Sequence, residues 1–192
     1  MQKINNKKGE VFAFKTDTVW GFGCHPNDIM AIKKIYEIKK RDVKKPLILM
    51  SYDFEPLKKY IKEIPNYAYE LIEKYLPGGL TLIFKKTDLV SDEITKTDTI
   101  GIRIPNSPDF CELAKQIEGG VLATTSCNIT QEPPVETYQE AYEKFSNVAT
   151  IIQPIEDVKN ENIPSTVILC ENDEYKFLRQ GALKLWLKDY LF

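Results

Sequence analysis

The sequence predicts an α/β fold in which helices pack on a mixed sheet. Two observations favour this class: short apolar runs typical of strands alternate along the chain with segments whose apolar residues recur at helical spacing. A third observation concerns size, because 192 residues without an internal repeat, a low-complexity tract or a long linker suit one hydrophobic core. We therefore expect a single domain over residues 1–192.

The elements follow from local patterns taken in order. A buried strand at 11–14 precedes a loop over 15–27 that is rich in Thr, Asp and Gly. A helix runs from Asp28 to about Lys39, and after a strand at 46–50 two further helices meet at Pro65, the second ending before residues 77–79. Further strands are predicted at 80–84, 99–104, 121–124, 148–152, 166–169 and 175–178, and helices at 108–117 and 138–145.

Composition and charge exclude several classes of protein. With 43% hydrophobic and 28% charged residues the chain has the composition of a folded globular protein, not of a disordered one. No apolar run approaches the roughly 20 residues of a membrane helix, and residues 1–8 lack the apolar core of a signal peptide. We therefore expect a cytoplasmic protein that makes no contact with a membrane.

The cysteines point to the same compartment. Cys24, Cys111, Cys127 and Cys170 are widely spaced and form no CxxC pair, so we interpret them as reduced thiols. The formal net charge of -2 gives no overall attraction to nucleic acid, although basic residues are concentrated between 33 and 45. An anionic ligand could dock on that local cluster.

One predicted strand, 99–104, carries a possible binding face. Strand alternation places its three isoleucines on one face and Thr99, Gly101 and Arg103 on the other. A hydroxyl, a gap where a ligand could approach the backbone and a cation suit an anionic small molecule. From this strand alone, however, a surface salt-bridge arginine beside a packing glycine is the favoured interpretation.

Two short segments repeat this spacing of two residues. If the chain is extended there, Lys39 and Arg41 share one side, and Ser126 and Asn128 project together with Cys127 turned away. Taken alone, a solvated charge run and ordinary turn chemistry explain these segments better than a site does.

The order of these pieces along the chain is more specific than any one of them. Seven segments, at 16–23 (TDTVWGFG), 39–41 (KKR), 76–81 (LPGGLT), 101–105 (GIRIP), 126–128 (SCN), 165–167 (STV) and 178–181 (LRQG), occur in the order found in one family. In these motifs the chain resembles, nearly from end to end, the YrdC family of L-threonylcarbamoyladenylate synthases.

The resemblance implies a twisted open sheet whose positively charged concave face holds ATP beside threonine. The residues that it implies along ATP are Arg41, Lys45, Thr99, Asn128 and Arg179. Those implied around threonine are Thr16, Arg103, Ser126 and Ser165. Lys39 and Arg41 are the implied catalytic residues, with a shared electrostatic role, and we expect both to face solvent.

The implied reaction needs no covalent nucleophile. Bicarbonate and the threonine amine form a carbamate, whose oxygen attacks the α-phosphate of ATP and releases pyrophosphate. Cations that stabilise charge on the phosphate oxygens suit this chemistry. Mg²⁺ would bridge the phosphates through its own waters, and no metal-ligand motif is visible. The adenylate would pass to a downstream threonylcarbamoyl-transferase complex that modifies tRNA next to the anticodon, with direct contact to tRNA left open.

The chain departs from the family pattern at four positions. Lys15 stands where proline is common, Trp20 where tyrosine is, Cys127 where alanine is, and Met50 where longer relatives carry a histidine near threonine. The chain also ends soon after the last motif, so we expect the short form without the extra C-terminal domain.

Other sites and functions have weaker support in the sequence. His25, the only histidine, lies near Cys24 and Asp28 in sequence, but a nucleophile triad is recognised by geometry. The glycines form neither GxGxxG nor GxxxxGK[ST], which excludes the familiar dinucleotide and P-loop signatures. A non-catalytic RNA-binding module that uses the basic cluster, or a paralogue with another acyl acceptor, remain the alternative functions.

Overall fold

The computed structural model describes residues 3–4, 7–155, 162–172 and 174–185, so the ends of the expected 1–192 domain lie outside the described residues. Its strands form one mixed sheet in the order β7-β1-β2-β6-β3-β5-β4-β8-β9, in which β1–β7, β3–β5 and β4–β8 are the parallel pairs. The strands are β1 Phe12–Phe14, β2 Gly21–Cys24, β3 Ile48–Ser51, β4 Leu80–Lys85, β5 Thr99–Arg103, β6 Val121–Ser126, β7 Thr150–Ile151, β8 Thr166–Cys170 and β9 Tyr175–Arg179.

Five α-helices connect these strands within the described part of the chain. Side chains cap three of them: Asp28 accepts a hydrogen bond from the Ala31 amide, Ser107 from the Phe110 amide and Thr137 from the Glu140 amide. The helices are α1 Ile29–Lys39, α2 Glu55–Lys58, α3 Asn66–Tyr75, α4 Pro108–Gln116 and α5 Tyr138–Phe145, and a 3-10 turn covers Glu118–Gly120.

The α/β class is confirmed, and two local predictions are wrong. The loop predicted over 15–27 contains β2, whose two glycines weaken the strand signal in the sequence. A Cβ at Gly21 or Gly23 would lie 2.9 or 2.8 Å from the ring of Phe14, so these glycines make room for a ring on the neighbouring strand. The helix predicted before Pro65 is only the single turn α2, after which Ile61 pairs with Lys86 as an isolated bridge.

The two faces of the sheet are covered unequally. The larger core cluster lies on one face and takes in residues of α1, α3 and α5. The smaller cluster, which includes Phe14, Phe110 and Leu122, packs α4 over one part of the other face. On that second face Ile83 and Leu169 are only partly buried and Leu178 is 50% exposed. A groove therefore stays open beside α4.

Two further predictions concern membrane spans and the cysteines. None of the described helices is long and apolar enough to cross a membrane. All four cysteines are free, with Cys24, Cys127 and Cys170 buried and Cys111 half-buried. Their redox state stays a prediction.

Candidate functional site

A cleft of about 370 Å³ opens on the less covered face of the sheet. Its walls come from the turn between β1 and β2, the residues after α1, the strands β3, β5 and β6, and the segment around β8 and β9. Seven of the ten residues implied by the resemblance line it: Thr16, Arg41, Arg103, Ser126, Asn128, Ser165 and Arg179.

Arg103 lies at the end of β5 and is held on three sides. Its Nε donates to the Gly78 carbonyl at 3.0 Å, Nη1 to Thr18 Oγ1 at 2.7 Å and Nη2 to Asp17 Oδ1 at 2.5 Å. Burial lowers the pKa of the guanidinium, and the Asp17 carboxylate opposes that shift. Arg103 is 4% exposed, so the surface salt-bridge interpretation favoured from the strand alone is wrong.

The gap expected at Gly101 is also absent. A Cβ at Gly101 would lie 2.8 Å from Ile48 Cγ2 and 3.4 Å from Thr81 Cγ2, because side chains on both neighbouring strands fill the space above it. Gly101 is therefore a packing glycine, and a ligand does not approach the backbone there. The predicted alternation itself is confirmed, since Ile100, Ile102 and Ile104 are buried in the larger core cluster.

Arg41 enters the cleft from the loop after α1. Its Nε donates to the Lys45 carbonyl at 3.2 Å and its Nη2 to the Pro46 carbonyl at 3.1 Å, so the loop folds back around the guanidinium. Partial burial lowers the pKa of Arg41. These backbone contacts hold the planar group at the cleft wall and leave part of it free for a ligand.

Ser126 and Asn128 project together, as the sequence predicted. Ser126 Oγ donates to Asn128 Oδ1 at 2.6 Å, and Asn128 Nδ2 donates to the carbonyls of Ile129 and Glu132. Cys127 is turned away into the core with 0% exposure, and its amide donates to the Trp20 carbonyl at 2.8 Å. The segment 126–128 thus presents a hydroxyl and an amide to the cleft and buries the thiol between them.

Lys39 differs from its prediction. Its side chain is 1% exposed and lies beneath the cleft, where Nζ donates to the carbonyls of Ser126 and Asn128 and to Asn128 Oδ1. The expectation that it faces solvent on the same side as Arg41 is wrong. Helix α1 continues to Lys39 and Lys40 takes a left-handed conformation with φ 47°, so residues 39–41 are not an extended segment in which i and i+2 align.

Ser165 and Arg179 close the opposite wall. Arg179 donates to the Ser165 carbonyl from Nε at 3.0 Å and from Nη2 at 2.8 Å, and Ser165 Oγ lies 2.8 Å from Thr81 Oγ1. Burial lowers the pKa of Arg179, and its charge contributes to the lowered pKa of Arg103. The two arginines therefore act on each other across the cleft, and an anion between them would relieve that repulsion.

Two implied ATP residues lie outside the cleft. The Lys45 side chain is exposed, and only its carbonyl takes part by accepting from Arg41. Thr99 lines a separate depression of about 320 Å³, together with Ile83, Leu169 and Leu178. That depression lies on the same sheet face, because Thr99 and Arg103 are on the same side of β5. Contact of Lys45 and Thr99 with ATP stays a prediction.

Three residues that support the site, Asp17, Thr18 and Thr81, were not predicted from the sequence. Asp17 and Thr18 belong to a recognised motif, but no spacing rule links them to Arg103, which lies 86 and 85 residues away. Thr81 likewise meets Ser165 across 84 residues. These partners become visible only when the strands are paired.

The rejected nucleophile site receives no support from the geometry. His25 Nδ1 accepts from the Asn27 amide, and the Asp28 carboxylate caps α1, outside the cleft. Burial raises the pKa of Cys24, so its thiol stays protonated. Within the described ranges, no three His, Cys, Asp or Glu side chains come together as a metal site.

The fold and the cleft together define an α/β protein whose open sheet face carries a cationic cleft, a lining that suits an anionic small molecule. Three arginines reach the cleft, and none of its described lining residues carries a carboxylate. The chain belongs to the Sua5/YciO/YrdC family: the family model, whose description is telomere recombination, matches residues 5–181.

Individual relatives agree with this membership. A protein of Methanocaldococcus jannaschii is 33% identical over 177 residues, which cover 92% of this chain and 82% of that protein. The threonylcarbamoyl-AMP synthase of Pyrococcus abyssi is 34% identical over 93% of this chain and 52% of its own length, so the chain spans about half of that relative.

A solved structure shows the same fold with a ligand. The crystal structure of P. abyssi Sua5 complexed with L-threonine is 34% identical and superposes with a TM-score of 0.80, over 91% of this chain and 51% of that one. The open mixed α/β sheet expected from the resemblance is therefore confirmed.

Proposed function

We propose that this chain is a threonylcarbamoyl-AMP synthase, a nucleotidyltransferase that converts ATP, L-threonine and bicarbonate into L-threonylcarbamoyladenylate and pyrophosphate. The observation that carries the proposal is the convergence of Arg41, Arg103 and Arg179 with the uncharged pair Ser126 and Asn128 in one cleft. One relative, the threonylcarbamoyl-AMP synthase of P. abyssi, has been solved in complex with L-threonine, which supports threonine as the substrate here.

The charge pattern suits the proposed chemistry. The carbamate and the triphosphate are both anions, so they must be brought in line against their repulsion, and buried cations lower that barrier. Burial partly excludes water from each cleft arginine and lowers its pKa, and the same exclusion strengthens the attraction to an anion. Neutral Ser126 and Asn128 then supply directional hydrogen bonds without adding charge.

In the proposed complex, threonine lies among Thr16, Arg103, Ser126 and Ser165. The carboxylate of threonine pairs with the guanidinium of Arg103. Arg41, Asn128 and Arg179 lie along ATP, with Lys45 and Thr99 at the outer parts of the nucleotide. Mg²⁺ is proposed to enter the cleft already bound to the phosphates of ATP. The described residues of the cleft include no cluster of carboxylates that could hold the ion in the absence of ATP.

The setting of the reaction is proposed as well. A single domain in the cytoplasm would make the adenylate and pass it to a downstream threonylcarbamoyl-transferase complex for modification of tRNA next to the anticodon. The cysteines, three of which are buried, are free in the structure, and free thiols are typical of cytoplasmic proteins. Direct contact with tRNA would use the exposed lysines of the basic cluster, Lys33, Lys40, Lys44 and Lys45.

The alternatives make different demands on the site. A non-catalytic RNA-binding module needs only exposed cations, yet Lys39 of the basic cluster is buried and Arg41 turns toward the cleft. A paralogue with another acyl acceptor would keep the three arginines but differ in the part of the cleft proposed to bind threonine. Met50 lies beside Arg103 in that part.

One assay separates these functions. Pyrophosphate release from ATP is measured with L-threonine and bicarbonate, each omitted in turn, and we expect release to require both. Release that is indifferent to threonine identifies the paralogue. No release, together with tight and salt-sensitive binding of RNA, identifies the binding module.

A further inference from the structure

Lys39 is the one buried lysine among the described residues. Removing an ammonium group from water costs several kcal/mol unless acceptors replace the lost hydration. Here the replacement comes from Ser126 O at 2.5 Å, Asn128 O at 2.8 Å and Asn128 Oδ1 at 2.8 Å. An ammonium group has three N–H donors, so one short segment takes all of them.

This segment, 126–128, is the one that presents Ser126 and Asn128 to the cleft. Asn128 Oδ1 accepts from both Lys39 Nζ and Ser126 Oγ, so the lysine and the cleft hydroxyl meet at one oxygen. A backbone contact reinforces the junction, since the Thr130 amide donates to the Lys39 carbonyl at 2.8 Å. The end of α1 is thereby tied to the end of β6, 87 to 89 residues away.

We propose that Lys39 is a positioning residue: its charged amine holds segment 126–128 in the shape that lines the cleft, and it acts on the ligand only through Ser126 and Asn128. This inference rests on the proposed function in so far as the ligand is ATP beside threonine. It replaces the direct electrostatic role that the resemblance implies for Lys39, and leaves Arg41 as the member of the KxR element that reaches the cleft.

The charge of Lys39 is essential to this role. A neutral amine has two N–H groups and a lone pair, so it cannot donate to three oxygens and turns the lone pair toward one of them. Burial and the nearby Arg41 lower the pKa of Lys39 to about 8, and Cys127 opposes the shift. Segment 126–128 should therefore loosen as the pH rises through about 8.

The groups around Lys39 supply no competing charge switch near that pH. Arg41 remains protonated despite its lowered pKa, and burial raises the pKa of the Cys127 thiol, which stays neutral. From β2, the Phe22 ring lies 5.9 Å from Nζ. Among the described residues, no carboxylate forms an ion pair with Lys39.

The first test needs neither a substrate nor catalysis. Backbone amide resonances of residues 126–128 are followed by NMR in the wild-type protein from pH 6.5 to 9.5. We expect them to shift together with a midpoint near 8, and we expect the shift to vanish in Lys39→Met and to persist in Lys44→Met. Resonances of residues 126–128 that are the same in Lys39→Met and in the wild-type protein at pH 7, or that stay fixed while Lys39 titrates, would overturn the proposal. If Lys39→Met does not fold, the wild-type titration decides alone.

The second test links the segment to turnover. The wild-type kcat/KM should fall on the alkaline side with a midpoint near 8, and Lys39→Met should show a low activity, reduced on the order of 10²-fold, without that limb. An alkaline limb with a midpoint near 8 that persists in Lys39→Met assigns that titration to another group and overturns the proposal. Because the NMR titration is independent of activity, an inactive wild-type protein would count against the proposed function alone.

Discussion

Arg103 Nη2 lies 2.5 Å from Asp17 Oδ1, in an ion pair whose side chains are 5% and 18% exposed. With Thr18 and the Gly78 carbonyl on its other nitrogens, the guanidinium is oriented before any ligand arrives. Such preorganisation reduces the conformational entropy that is lost when a ligand binds. Asp17 therefore helps to fix the orientation in which Arg103 meets a ligand.

Replacement of Asp17 tests this arrangement. Asp17→Asn leaves the buried Arg103 charge without its counter-charge, and we expect the free energy of unfolding to fall by about 3 kcal/mol, because uncompensated buried charge is costly. Urea denaturation measures the change. Asp92→Asn is the matched control, since it removes a surface pair with Lys86 and should have a much smaller effect. Equal losses in the two variants would contradict the preorganised pair.

Arg41 and Lys44 separate geometry from charge. Arg41→Lys keeps the charge but loses the planar fork that grips the Lys45 and Pro46 carbonyls, and we expect turnover to fall on the order of 10²-fold. Lys44→Ala removes an exposed charge of the same cluster, so its effect should be small and fade with added salt. Steady-state pyrophosphate release measures both. Losses of the same size that disappear together at high salt would indicate a general electrostatic patch.

Gly181 allows Arg179 to reach Ser165. A Cβ at Gly181 would lie 2.1 Å from the Pro164 carbonyl oxygen, so Gly181→Ala must push the turn after β9 away from Ser165 and weaken the hydrogen bonds of Arg179. We expect a raised KM for ATP, measured by initial rates. Gly9→Ala is the comparison, because Gly9 has a positive φ but open space around its Cβ position, and it should leave KM unchanged.

The buried charge of Lys39 predicts a pH dependence of stability. Its pKa is 10.5 in the unfolded chain and about 8 in the folded protein, so between these values the unfolded state binds more protons and stability rises with pH. The wild-type protein should gain up to about 1 kcal/mol per pH unit above pH 8 relative to Lys39→Met. Denaturation at pH 7, 8 and 9 measures the difference. A constant difference would mean that Lys39 titrates as a solvated lysine.

The thiols give a simple check of the core. In the native protein we expect Cys111 to react first with a thiol reagent, because the other three cysteines are buried and burial raises their pKa. After unfolding without reductant, all four should react. A missing pair would reveal a disulfide and contradict the cytoplasmic assignment.

The helix and strand patterns were predictable where the signal is local. The alternation of 99–104, the start of α1 at Asp28 and the pairing of Ser126 with Asn128 depend on neighbours a few residues apart, and each is present in the structure. Strand β2 was not predicted because its glycines have low strand propensity. The packing that stabilises it comes from the ring of Phe14 on the neighbouring strand β1.

The α/β class, the order of the motifs and the chemical types available to the site follow from the sequence alone. The folded structure brings particular residues together: Asp17 with Arg103, Thr81 with Ser165, and Lys39 with the segment 126–128. The physical reason is that each of these contacts joins residues more than 80 positions apart, so it depends on strand order and on the left-handed turn at Lys40, which no local periodicity encodes.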